Sequence, residues 1–139
     1  MTLEEKVCPI VLAGRLKYLG VNKKSDWYWD SHALVKTSGD YGITSDGEIS
    51  AYTSEELGEM LPHHLKTDYV FTTYKMEDGG WFVDYTDMTP DPEKIGRPFM
   101  FTDPDGVDHT VCQSGKSESE ARAKVLIFLL EHKLMRQPE

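Results

Sequence analysis

The sequence predicts an α+β domain: an antiparallel β-sheet built from hairpins, with an N-terminal helix, a short middle helix and a long C-terminal helix packed on one face. Three observations predict it. Tyr69–Tyr74 and Trp81–Tyr85 are rich in aromatic and β-branched residues and flank Glu77-Asp78-Gly79-Gly80, a turn that makes neighbours antiparallel. Thr53 with Glu56, and Ser117 with Glu120, have the three-residue spacing of a capping box, which marks two helix starts. Val125-Leu126-Ile127-Phe128-Leu129-Leu130 is apolar around the whole helical circumference, so its helix must be covered on more than one side.

The elements follow in order. Residues 1–7 read as a loose arm. Pro9 suits the first turn of a helix and Gly20 its end, with Leu12, Leu16 and Leu19 on one stripe, which predicts a helix over 9–19. Trp27-Tyr28-Trp29 opens a strand that runs on through Ala33-Leu34-Val35. Ser38-Gly39-Asp40 and Ser45-Asp46-Gly47 are turns around a short strand at Tyr41–Thr44, and Glu48–Tyr52 is the next strand. The middle helix spans Ser54–Leu61, stopped by Pro62, and His63-His64 follow in a loop. The clearest hairpin pairs 69–76 with 80–86. Residues 86–98, with three prolines, form a loop, and Phe99–Phe101 and His109–Cys112 flank the turn Asp103–Gly106. The last helix runs from Ser117 to about Arg136. Glu118–Arg122 and Glu120–Lys124 are acid-before-base pairs four apart, and Val125, Phe128 and Leu129, with most of the 125–130 run, are expected almost fully buried.

At 139 residues the chain fits a single domain spanning 1–139. Its net charge is −9, from 24 acids against 15 bases, which argues against direct nucleic-acid binding because phosphate contacts need a clustered basic surface. The N-terminus lacks the pattern of a signal peptide, and the apolar helical run is too short to span a bilayer. A cytoplasmic protein with no membrane contact is expected. Two cysteines, Cys8 and Cys112, are too few for a disulfide framework and are expected as buried free thiols.

No catalytic, cofactor-binding or metal-ligating residue is assigned from sequence. His32, His63, His64, His109 and His132 with Cys8 or Cys112 lack the close ligand pairs of a structural zinc site. Asp103-Pro104-Asp105-Gly106-Val107-Asp108 departs from a calcium loop and reads as a plain turn. Cys112, His109 and Asp108 are close in sequence, but positions 109 and 112 of one strand face opposite sides, and Cys8 has no local base. The aromatics Trp27, Tyr28, Trp29, Tyr69, Phe71, Tyr74, Trp81, Phe82 and Tyr85 cannot all face one core. Those on the second face are either covered by helix 9–19 and the loop 86–98 or form an exposed binding patch.

Ala51–Pro62 and Glu118–Glu131, with Leu16–Val21 followed by Trp27-Tyr28-Trp29, resemble small uncharacterised bacterial proteins of the phage and prophage type. These stretches are helix caps, a sheet entrance and a core helix. The resemblance implies a context, an accessory protein made inside a bacterium, and no activity, cofactor or site residue. The leading expectation is a non-enzymatic protein that binds another protein, or a second copy of itself if helix 9–19 does not cover the Ile127, Leu130 and Leu134 stripe. A closed monomer is favoured, since a chain of this length can bury its own core. Two other readings remain. One is an acidic DNA mimic that blocks a host nuclease, using Glu55, Glu56, Glu59, Glu77, Asp78, Asp84, Asp87, Asp91 and Glu93. The other is a small enzyme with a pocket on the open sheet face uniting His32, His63 or His64 with Asp84.

Overall fold

The structure, a computed structural model, describes residues 2–36, 48–66 and 68–138. Its elements in chain order are α1 (Ile10–Tyr18), β1 (Trp27–Asp30), β2 (Ala33–Lys36), β3 (Glu48–Ser50), α2 (Ser54–Met60), β4 (His64–Leu65), β5 (Tyr69–Lys75), β6 (Trp81–Asp87), β7 (Met100–Thr102), β8 (Asp108–Thr110), β9 (Cys112–Gly115) and α3 (Glu118–Glu131). Every strand pair is antiparallel, and the fold is α+β. Among the described residues the pairing divides into three sheets, ordered β2-β1-β3, β4-β5-β6-β9 and β7-β8. The turns and strand expected at residues 38–47 lie outside the described residues.

Helix α3 is the element on which the others converge. It packs on β6 and β9 of the four-stranded sheet and also against α1 and α2. Ala121, Val125 and Leu129 are buried on one stripe, Leu126 beside it and Ala123 on the far side, so burial extends well round the helix. Phe128 departs from expectation: it is only partly buried, because it faces the β7–β8 hairpin at the rim. Ser117 Oγ accepts the Glu120 N–H at 3.1 Å, and the Glu120 carboxylate reaches back to the Lys116 N–H at 2.6 Å. Both acid–base pairs form, Glu118–Arg122 at 2.7 Å and Glu120–Lys124 at 3.8 Å. The helix stops at Glu131, a turn short of Arg136. Lys133 adopts the left-handed conformation (φ +56°), and the Leu134 and Lys133 N–H groups return to the carbonyls of Leu129 and Leu130. This is a Schellman ending with lysine where glycine is usual.

Helix α1 lies against α3 and β3, with Leu16 fully buried and Arg15 Nε bonded to Glu131 Oε1 at 2.8 Å. The Thr53/Glu56 capping box at α2 is complete, with bonds of 3.2 and 2.9 Å. Three further details differ from the sequence reading. Residues 1–7 are not simply a loose arm: Glu4–Lys6 form a 3-10 turn, and Val7 is buried and paired with Thr53. The strand expected to run from Trp27 through Val35 is a hairpin, because Ser31 takes φ +56° and reverses the chain. Cys112 does not continue β8. The chain leaves the small hairpin at Val111, and Cys112–Gly115 joins β6 as the edge of the four-stranded sheet.

Candidate functional site: the open face of the four-stranded sheet

The β5–β6 hairpin runs in register from Tyr69↔Asp87 to Lys75↔Trp81, closed by residues 76–80. Side chains alternate across a sheet, so the register assigns every residue to a face. Phe71, Val83, Tyr85 and Gly115 lie on the α3 side. Val83 and Tyr85 there are fully buried, and Arg122 of α3 sits 5.4 Å over the Phe71 ring. Val70, Thr72, Tyr74, Phe82, Asp84, Thr86, Cys112 and Ser114 lie on the other side. On that open face Tyr74 is 47 % exposed and its ring contacts Phe82 at 5.1 Å. Tyr74 is the exposed ring of this pair and Phe82 is half-buried beneath it.

The centre of this face is a carboxylate. Asp84 is only 9 % exposed although it sits on the open side. Its Oδ1 accepts the hydroxyls of Thr72, its cross-strand partner, and of Thr86 at 2.9 Å. Cys112 is its partner on the other flank. The Tyr74 hydroxyl and the Cys112 thiol are both pushed above their usual range, first by burial and then by the negative charge of Asp84. Both therefore stay neutral beside it.

Elsewhere the flagged residues have other roles. His32 and His63 are exposed, and so is His64, which forms the short strand β4 rather than a loop. Among the described residues, the hydrogen bonds on the Asp84 side chain come from threonines and not from any histidine. His109 and His132 do meet, with ring centroids 5.1 Å apart, but inside a cluster with Phe101 and Phe128 that seals the β7–β8 hairpin to the end of α3. His109 Nε2 bonds Asp103 Oδ2 at 2.7 Å, and that bond, with the Val107 and Asp105 N–H groups, holds the Asp103 carboxyl below its ordinary range. Among the described residues, no group of three His, Cys, Asp or Glu side chains is arranged to hold a metal. Cys8 and Cys112 are free. Cys8 is fully buried, and burial with the nearby Glu120 charge pushes its thiol far up, so neither cysteine is poised as a thiolate nucleophile.

Comparison with protein-family models, curated proteins and solved structures finds no match to this chain. Among the described residues, no helix is long and apolar enough to cross a membrane.

Nothing local marks Asp84 as special. Its neighbours Thr72 and Cys112 come from other strands, 12 and 28 positions away, and only the register brings them beside it. The available signal is a single acid inside Trp81-Phe82-Val83-Asp84-Tyr85, where the other side chains are aromatic or β-branched.

Proposed function

We propose that this chain is a non-catalytic, cytoplasmic accessory protein of the phage or prophage type, which acts by binding another protein through the open face of its four-stranded sheet. The observation that carries this reading is Tyr74, exposed and packed on a half-buried Phe82, on the side of the sheet away from α3. Aromatic side chains offer large contact area with few rotors to order, and they are enriched at protein interfaces. Burial first, then the charges of Glu120 and Asp84, pushes the Cys8 and Cys112 thiols above their usual range, which speaks against a cysteine nucleophile. The DNA-mimic alternative is less well supported, since Asp87 is buried and the other acids are interleaved with Lys66, Lys75, Lys94 and Arg97.

Photo-crosslinking tests the reading. A benzophenone amino acid placed at Tyr74 in bacterial cells making the protein is expected to give a discrete adduct with a second polypeptide, while the same group at exposed Val11 on α1 does not. No adduct from position 74 above the Val11 control would overturn the reading. An adduct of twice the chain mass would replace the foreign partner by a second copy.

A further inference from the structure

Resting on that reading, we infer that Asp84 is the anchor of the docking face and takes the guanidinium of an arginine side chain presented by the partner protein. Three observations converge on it. Both hydroxyl donors, Thr72 and Thr86, go to Oδ1, and among the described residues no side chain donates to Oδ2. Among the described residues, no lysine or arginine forms an ion pair with this carboxylate, although it is nine-tenths buried. Among the described residues the side-chain polar atoms both buried and unpartnered are Ser54 Oγ, Thr73 Oγ1 and Arg122 Nε, so Asp84 Oδ2 keeps an opening through which a cation that brings its own donors can reach it. The third observation is the aromatic pair. Tyr74 lies diagonally across the hairpin from Asp84, roughly 7–8 Å away by strand geometry and within reach of long side chains.

Arginine fits this surround better than lysine. Its planar guanidinium stacks on an aromatic face while donating in its own plane, and it sheds water more readily than an ammonium group. The charge of the whole chain, −9, draws a cationic segment in the same sense. The occupant proposed is thus an arginine-bearing protein surface, its side chain laid along Tyr74 with its head on Asp84 Oδ2.

The test uses the intact chain and two short peptides, acetyl-Ala-Arg-Ala-amide and its citrulline counterpart, an uncharged near-isostere. Amide NMR shifts on adding the arginine peptide are expected to concentrate at Thr72, Tyr74, Phe82, Asp84 and Cys112, and affinity is expected to fall at least ten-fold for citrulline. Asp84→Asn, checked for folding by its thermal melt, is expected to remove the preference for arginine. Equal response to both peptides, or shifts centred on the acidic surface of α2 at Glu55, Glu56 and Glu59, would overturn the assignment. If Asn at 84 unfolds the chain, Tyr74→Ala replaces it, and a ten-fold arginine preference undiminished in that variant would likewise refute the stacked geometry. A crosslinked partner at Tyr74 with no arginine preference would remove the anchor while leaving the docking face intact.

Discussion

Gly115→Ala is the sharpest test of how the sheet is tied to its helix. Gly115 ends β9, one residue before the connection into α3. A Cβ built there would stand 2.7 Å from the Ala121 backbone nitrogen and 3.0 Å from Glu120 Cβ. Ordinary contact begins at 3.4 Å, so the first turn of α3 must back away by roughly 0.7 Å, and the nearest obstacle is backbone that cannot swing aside. Overpacking of this kind costs about 1–3 kcal/mol. Against a total stability of about 5–15 kcal/mol for a domain, that is readable in urea. For a chain of this length it lowers Tm by roughly 3–5 °C for each kcal/mol. Amide shifts should cluster over residues 113–121. Gly79→Ala is the contrast: nothing lies within 4 Å of its Cβ, and its φ of +91° leaves backbone strain as the penalty, with shifts confined to the turn. A Gly115→Ala protein as stable as the parent, with unmoved β9 and α3 amides, would show that this junction is not close-packed.

Two further outcomes are expected. Leu129→Ala should cost about 2–5 kcal/mol by chemical denaturation because Leu129 is fully buried, and Phe128→Ala should cost less than Leu129→Ala because its ring is partly exposed; the reverse order would contradict the packing around α3. The Asp87 carboxyl is held below its ordinary range, first by the Thr89 N–H, then by the Thr89 hydroxyl, with Lys94 and Arg97 adding to it. A depressed folded value means that its stabilisation is present above the unfolded value and is lost as pH falls through the folded one. The Thr89 amide signal should therefore hold through mildly acid pH and shift only below the usual aspartate range, whereas a transition at or above that range would refute the bond as drawn.

Caps and hairpin chemistry were legible in the sequence because their causes are local. The Thr53/Glu56 and Ser117/Glu120 spacings, the acid–base pairs of α3 and the β5–β6 hairpin all arise within a few residues of one another. What escaped is either non-local or uses an unusual residue. Ser31 and Lys133 hold left-handed backbone where glycine is the usual signal, so the sequence pattern shows one strand where there is a hairpin and extends the last helix too far. At Val111 the chain passes from one sheet to another without a turn residue, so β9 was joined to β8. Phe128 could not be ranked below Leu129, because periodicity is silent on a helix apolar all round. Asp84, Tyr74 and Phe82 are candidates in the sequence, but the pairing of Asp84 with Cys112 is not legible there, since Cys112 reaches Asp84 only through that change of sheet.

The core and the proposed docking face are two readings of one register. Alternation along β6 sends Val83 and Tyr85 toward α3 and Phe82 and Asp84 away from it. A slip of one residue in the β5–β6 pairing would exchange the sets, exposing two fully buried side chains and driving a carboxylate onto the face covered by α3. The penalty for that slip is large on both sides of the sheet, so Asp84 helps to fix the register even before it meets a ligand. Its cost in the correct register is softened by the Thr72 and Thr86 hydroxyls, which approach one oxygen of the carboxylate. Oδ2, left without a donor among the described residues, is where the proposed arginine would add its own.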